Sequence, residues 1–213
     1  MKRFAKHIIP LSLSALLCGA VSASETSLSG NISFTGNPPP AALIYVPGKA
    51  LKAPEPEIDQ VDKQFTKSIV VGAPGSTVLF KNSDQVEHNV FANDSKHKAK
   101  FDVGLMQTGG KKAISVDWKA DAMIRVGCKI HPRMRAYIAT VDARFHQVIE
   151  FNAEQKVFPI NLKNIPAGSK KLVINIPKYD EIVLELGNEN QWSAAITKKG
   201  KKRGEITIAK GNH

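Results

Sequence analysis

Apolar and polar positions alternate with the two-residue period of a strand along most of the chain. Leu28, Ile32 and Phe34 are separated by small or polar residues until Gly36-Asn37-Pro38-Pro39-Pro40 ends the run. Leu43-Ile44-Tyr45-Val46 is a short continuous apolar segment, and Lys49–Glu57, with Pro54 and Pro56, reads as a surface loop. Ile69-Val70-Val71, a Gly72-Ala73-Pro74-Gly75-Ser76 turn and Thr77-Val78-Leu79-Phe80 form a strand, turn and strand rich in β-branched residues. Further strands are predicted at Glu87–Phe91, Lys112–Trp118, Ala122–Cys128 and Arg135–Val141, and polar Asn93–Gly110 reads as a long loop. No segment keeps a helical period. Many short strands at regular spacing predict an all-β Greek-key sandwich or barrel.

Beyond Asp142 the chain again reads as short strands, separated by Pro-Ala-Gly and Gly-Asn turns, from Phe145–Phe151 through Phe158–Leu162 to Glu205–Ala209. This predicts a second, small β-sandwich. The expected division is therefore residues 1–23 as a leader, 24–142 as the first sandwich and 143–213 as the second.

The leader has its own logic. Lys2, Arg3 and Lys6 precede an apolar run over Ile8–Leu17, and Ala20-Val21-Ser22-Ala23 supplies small residues for cleavage. This is the pattern of a secretory signal peptide, too short to span a bilayer, and it predicts export to the periplasm with cleavage after Ala23. Nothing later approaches a membrane-spanning length. The 213 residues carry 30 Lys plus Arg against 19 Asp plus Glu, a net +11 that falls to +8 once the leader is removed. Export removes most of the case for nucleic acid that such a balance would otherwise make. Of two cysteines, Cys18 goes with the leader, so the mature chain keeps only Cys128. A four-cysteine zinc or iron–sulfur centre is excluded. A lone sulfur in an oxidising compartment is buried and inert, paired with another chain, or held by a metal.

Cys128-Lys129-Ile130-His131-Pro132-Arg133-Met134 sets a thiolate, an imidazole and a thioether three residues apart on a loop between predicted strands. His88, forty residues upstream in Glu87-His88-Asn89-Val90, adds a second imidazole. Soft sulfur suits Cu(I), imidazole suits both copper states, and a weak axial thioether tunes the potential. The bland alternative makes Cys128 a small buried hydrophobe and Met134 a core filler.

Val86-Glu87-His88-Asn89-Val90 and Cys128–Met134 resemble the two copper motifs of the cupredoxins. The Cys-x-x-His-x-x-Met spacing with Pro132 after the second histidine is similar to the amicyanin loop. The wider pattern, from Ile69-Val70-Val71-Gly72 through Val78–Asp84 and His88–Phe91 to Gly127–Ile138, also resembles periplasmic cupredoxin-like proteins labelled methylamine utilization proteins. The resemblance implies a type 1 copper site with His88, Cys128 and His131 equatorial, Met134 axial, and Asn89 tying the two ligand segments together and hydrogen-bonding towards the thiolate. It implies a one-electron carrier, not an enzyme: a binuclear centre needs a second cysteine, and multicopper oxidases and copper nitrite reductases place a histidine where Gly127 stands. The tail, through Phe158–Asn161 and Asn164-Ile165-Pro166-Ala167-Gly168, resembles carboxypeptidase regulatory-like modules.

Two other readings stay open on the same residues. One is a periplasmic protein that buffers or delivers copper without redox turnover; the other is a structural β-module protein whose site has decayed. Lys129, Arg133 and Arg135 are expected to ring His131 and to favour an acidic periplasmic redox partner, a cytochrome or dehydrogenase. Lys198–Gly204 is basic enough for an anionic surface but reads first as an exposed hairpin turn. His97, among Lys96, Lys98 and Lys100, reads as a solvated loop residue, and Trp118, Trp192 and Tyr137 as core or strand aromatics.

Overall fold

The computed structural model describes residues 25–49 and 55–211; the leader, Cys18 and the middle of the Lys49–Glu57 loop lie outside the described residues. Among the described residues there is no helix. In chain order the strands are β1 (Glu25–Phe34), β2 (Ala41–Pro47), β3 (Glu57–Ile58), β4 (Gln60–Val61), β5 (Gln64–Phe65), β6 (Ile69–Gly72), β7 (Thr77–Lys81), β8 (His88–Asp94) and β9 (Ala99–Met106). There follow β10 (Lys111–Ser115), β11 (Ala122–Gly127), β12 (Arg135–Thr140), β13 (Ala143–Glu150), β14 (Val157–Pro166), β15 (Lys171–Asn175), β16 (Ile182–Glu185), β17 (Gln191–Lys198) and β18 (Lys201–Lys210). The expectation of an all-β chain with two sandwiches is met.

Four sheets stack as layers, ordered β10-β7-β3, β6-β12-β11-β8-β9, β13-β2-β15-β16 and β14-β1-β18-β17, with a small β4–β5 ribbon beside them. Three apolar cores fill the gaps. Val78, Phe80, Ile124 and Ile138 lie between the first and second layers, Ile32, Ile44, Leu162 and Ile206 between the third and fourth. A third core, with Leu43, Tyr45, Ile69, Tyr137 and Ala139, joins the two sandwiches. In the first sandwich the chain crosses between sheets from β6 to β7, back to β8, over again from β9 to β10 and back to β11, as a Greek-key arrangement requires.

The expected span of the first sandwich, residues 24–142, is corrected at its start by strand pairing. β1 lies between β14 and β18, and β2 between β13 and β15, so residues 25–47 belong to the second sandwich and the first is inserted between β2 and β13. The reason lies in β2 itself. Alternate side chains of a strand point to opposite faces, so Ala42, Ile44 and Val46 enter the second sandwich's core while Ala41, Leu43 and Tyr45 face the first sandwich. A strand buried on both faces reads as a continuous apolar run. β12 does the same from the other side, with Ala136 and Ile138 facing one core and Tyr137 and Ala139 the other. Tyr45 Oη donates to Asp121 Oδ1 at 3.2 Å across this junction.

The long loop expected over Asn93–Gly110 is also corrected. β8 and β9 form an antiparallel hairpin there, with Phe91 opposite Asp102 and Asp94 opposite Ala99. Ala99, Phe101, Val103 and Met106 face the core while Lys100 and Asp102 face out. Lys100 and Gly104 on the outer face, with the lysines and glycines of the flanking turns, give the segment the polarity of a loop.

Candidate metal centre

Three of the four expected donors meet at one end of the five-stranded sheet. β8 begins at His88, β11 ends at Gly127 and β12 begins at Arg135, and β8 and β11 are neighbours with Gly127 opposite Phe91. The start of one strand and the loop between the next two must then lie side by side. The loop closes on itself where the Met134 amide donates to the His131 carbonyl at 2.9 Å.

Cys128 Sγ lies 3.7 Å from His131 Nδ1 and 4.0 Å from His88 Nδ1, and the two Nδ1 atoms are 3.0 Å apart. Bond lengths of about 2.0 Å to nitrogen and about 2.3 Å to sulfur suit a late first-row metal. A triangle with these sides accepts an ion at such lengths close to its own plane. One thiolate and two imidazoles form the trigonal donor set associated with copper cycling between two states. His88 and Cys128 are buried at 0% and 2% exposure, while His131 is only partly covered. Met134 is buried three residues beyond His131, at the end of the same loop.

Outer groups hold the triangle. Asp84 Oδ2 sits 2.9 Å from His88 Nε2, so the ring places its proton there and turns the Nδ1 lone pair into the site. Asp84 also accepts from the Lys63 amide at 2.7 Å and the Gln85 amide at 2.7 Å. The Lys63 amide first, and then His88, bring its carboxyl down to about 2, against the desolvation that opposes them. Asn82 braces this turn: its Nδ2 donates to Val86 O at 2.9 Å and Met106 O at 2.8 Å, and its Oδ1 accepts from the Asp84 amide at 3.0 Å. Burial, and then the neighbouring His88, push the His131 ring below its ordinary value and favour the neutral, ligating form.

Asn89 stitches the two ligand segments. Its backbone amide donates to Cys128 Sγ at 3.4 Å, and its side-chain Oδ1 accepts from the Lys129 amide at 3.1 Å. Its Nδ2 donates to Asp102 Oδ1 at 2.5 Å, and Asp102 also binds the Lys129 ammonium. Lys129 is thereby drawn to Asp102, with its nitrogen 5.7 Å from the Phe91 ring centre. The positive charge beside His131 comes instead from Arg133 and from Lys63 of the β4–β5 turn, which with Asp62, Gln64, Ile130 and Pro132 line a pocket of about 540 Å³, two cations against one carboxylate. His97 lies away from the centre, 3.1 Å from Asp94.

Asp84 and Asp102 were not singled out from the sequence. Asp84 carries a signal, since Asn82-Ser83-Asp84 precedes His88 by a tight turn's length. Asp102 carries none, because the polar run around it predicts a loop.

No protein-family model matches the chain, and no curated protein does. Among solved structures, the reduced Cu(I) form of an amicyanin mutant is similar at 16% identity over 42% of this chain and 85% of its own, with a TM-score of 0.37. A purple cupredoxin from Nitrosopumilus maritimus is similar at 18% identity over 39% of this chain and 97% of its own, TM-score 0.34. A copper-containing nitrite reductase from Thermus scotoductus SA-01 is similar at 22% identity over 44% of this chain and 24% of its own, TM-score 0.37. At these values the metal assignment rests on the donor triangle and its outer bonds, not on the likeness.

Proposed function

We infer that the protein carries single electrons in the periplasm through one type 1 copper ion, with His88, Cys128 and His131 as equatorial donors and Met134 as the axial thioether. The observation that carries this reading is the triangle of one sulfur and two Nδ1 atoms, with sides of 3.0, 3.7 and 4.0 Å. Copper, when bound, would supply a one-electron Cu(I)/Cu(II) couple.

The chain's own part is to keep the donors still. Asp84 fixes the His88 tautomer, the Asn89 amide donates to the thiolate, and the Asn89 side chain locks the Cys128 loop to β8. Donors held by packed strands change little between oxidation states, and small reorganisation favours rapid transfer. Two donors are shut away from water while the partly covered His131 edge gives the electron an exit. Gly127, standing directly before the thiolate, supports a carrier over an oxidase or reductase. The basic leader ahead of an apolar run and Ala20–Ala23 supports export. Arg133 and Lys63 beside His131 favour an acidic cytochrome or dehydrogenase as partner.

Adding Cu(II) to the purified mature protein tests the reading. An intense visible thiolate charge-transfer band with reversible voltammetry is expected. Tight binding without that band would favour copper buffering or delivery, and no binding would overturn both.

A further inference from the structure

The second sandwich ends in a basic hairpin whose position has a use. β17 and β18 are joined by Lys199-Gly200, both at positive φ (52° and 72°), a two-residue turn of the kind that matches strand twist. Asp180 holds the turn by accepting from Thr197 Oγ1 at 2.7 Å, the Lys199 amide at 3.1 Å and the Gly200 amide at 2.9 Å. Five cations, Lys198, Lys199, Lys201, Lys202 and Arg203, are thus displayed on a rigid support. Lys202 pairs with Glu205 at 2.7 Å, and Lys198 lies 5.4 Å from the Tyr179 ring centre.

A chain of contacts shows which end of the molecule this is. The copper loop leads into β12, where the Tyr137 amide donates to Ser68 O at 2.9 Å. The Ser68 amide donates to Glu150 Oε1 at 2.9 Å, which crosses to the second sandwich. Phe151 follows, its ring 5.1 Å from Phe34, and Phe34 lies 6.2 Å from Tyr179, beneath Lys198. At the opposite end Tyr45 meets Asp121. The basic hairpin and the copper loop therefore crown the same end of the four-layer stack.

That end is also where apolar side chains reach water. Ile130 and Val86 flank the donors at 48% and 36% exposure, Leu105 lies opposite Asn89 at 57%, and Val157 lies opposite Ser33 at 56%. Exposed apolar groups rimmed by charge mark a docking surface. Sheets stack about 10 Å apart, so the two layer spacings between the copper's sheet and the hairpin's amount to about 20 Å. A standard interface covers about 800 Å² per partner, roughly 30 Å across, and spans that gap.

Resting on the electron-carrier reading above, we propose that the Lys198–Arg203 hairpin is the second half of the docking face for a redox protein. Such a partner has an apolar contact zone over His131 and an acidic margin wide enough to reach both sandwiches. A second copy of this chain is disfavoured, because it would bring like charges together. The second sandwich is then an arm that captures and orients the partner.

The test charge-reverses Lys201→Glu with Arg203→Glu, both exposed and outside the copper site. Stopped-flow transfer from the reduced copper protein is measured against two oxidants, an acidic c-type cytochrome and hexacyanoferrate(III). The cytochrome rate is expected to fall about tenfold or more at low ionic strength and to lose much of its salt dependence. The hexacyanoferrate(III) rate, measured at high ionic strength where the charge of this trianion is screened, is set by access to His131 and is expected to stay within about twofold. Unchanged cytochrome rate and salt slope would overturn the proposal. Loss of flotation with phosphatidylglycerol vesicles, with cytochrome transfer unaffected, would overturn it in favour of a membrane role. Failure of the unaltered protein to reduce hexacyanoferrate(III) would strike the electron-carrier reading itself.

Discussion

The two sandwiches share one grammar of alternating strands but treat buried polar groups in opposite ways. All six buried polar or charged side chains among the described residues, Gln60, Asn82, Asp84, His88, Asn89 and Thr140, lie in the inserted sandwich. The second sandwich closes over a core whose buried members are apolar or aromatic. Burying a polar group costs free energy unless it finds a partner. Gln60 Nε2 donates to Lys81 O at 3.0 Å while its Oε1 finds no partner among the described residues, and Thr140 Oγ1 accepts from Trp118 Nε1 at 2.6 Å. Asn82, Asp84, His88 and Asn89 fall within eight residues and all bear on the donor triangle. One unit is therefore organised around a polar centre, and the other is a plain scaffold that presents charge on its outside.

The largest expected effect breaks the inserted unit's side of that contrast. Cys128→Ser removes the only cysteine among the described residues, and the copper charge-transfer band should vanish completely on titration with Cu(II). Circular dichroism should remain that of folded strands, since a hydroxyl of similar size replaces the sulfur. A persisting band would show that the colour has another origin.

A truncation at the junction sharpens the contrast from the scaffold side. Leu43 is fully buried in the core that joins the sandwiches. Leu43→Ala should cost about 2–5 kcal/mol and separate one thermal transition into two, the copper band disappearing with only one of them. A single transition merely shifted to lower temperature would mean that the units unfold as one body regardless of this core.

Asp84→Asn comes next. Its amide still fits the turn, but it removes the carboxylate that fixes His88. Loss of such an outer partner commonly lowers metal affinity about 10- to 100-fold. Competition against a chelator of known strength should show a fall in that range with the band retained. Affinity equal to the unaltered protein would mean that packing alone orients the ring.

The strands and the donors were legible because each leaves a local trace. Leu28–Phe34 alternates, and Cys128, His131 and Met134 recur at fixed spacing on one loop. What stayed hidden was non-local. β1 joins β18 across about 170 residues, and no pattern within Glu25–Pro47 says which sandwich it completes. The continuous run Leu43–Val46 hinted that β2 is covered on both faces, but not by what. Ala99–Met106 failed for a different reason: its outer face carries lysine and glycine, so composition pointed to a loop while Ala99, Phe101 and Val103 kept the period of a strand. Asp102, the group that holds Asn89 and Lys129, was lost with it.

The smallest effect belongs to the polar side chain that holds the scaffold's basic hairpin. Asp180 accepts from the Gly200 amide, Thr197 hydroxyl and Lys199 amide, and these bonds, the Gly200 amide foremost, hold its carboxyl below the ordinary range. A carboxyl depressed in the folded state contributes stability that is complete above the unfolded value and lost as pH falls through the folded one. Asp180→Asn should therefore lower the urea midpoint near neutral pH, by several-fold less than Leu43→Ala. That deficit should shrink as acid protonates Asp180 in the unaltered protein, until the two stability curves meet. Curves that ran parallel into acid would show that the hairpin is held by its strand ladder alone. The support assigned here to the Asp180 charge would then pass to Lys199 and Gly200, whose backbone already prefers the turn.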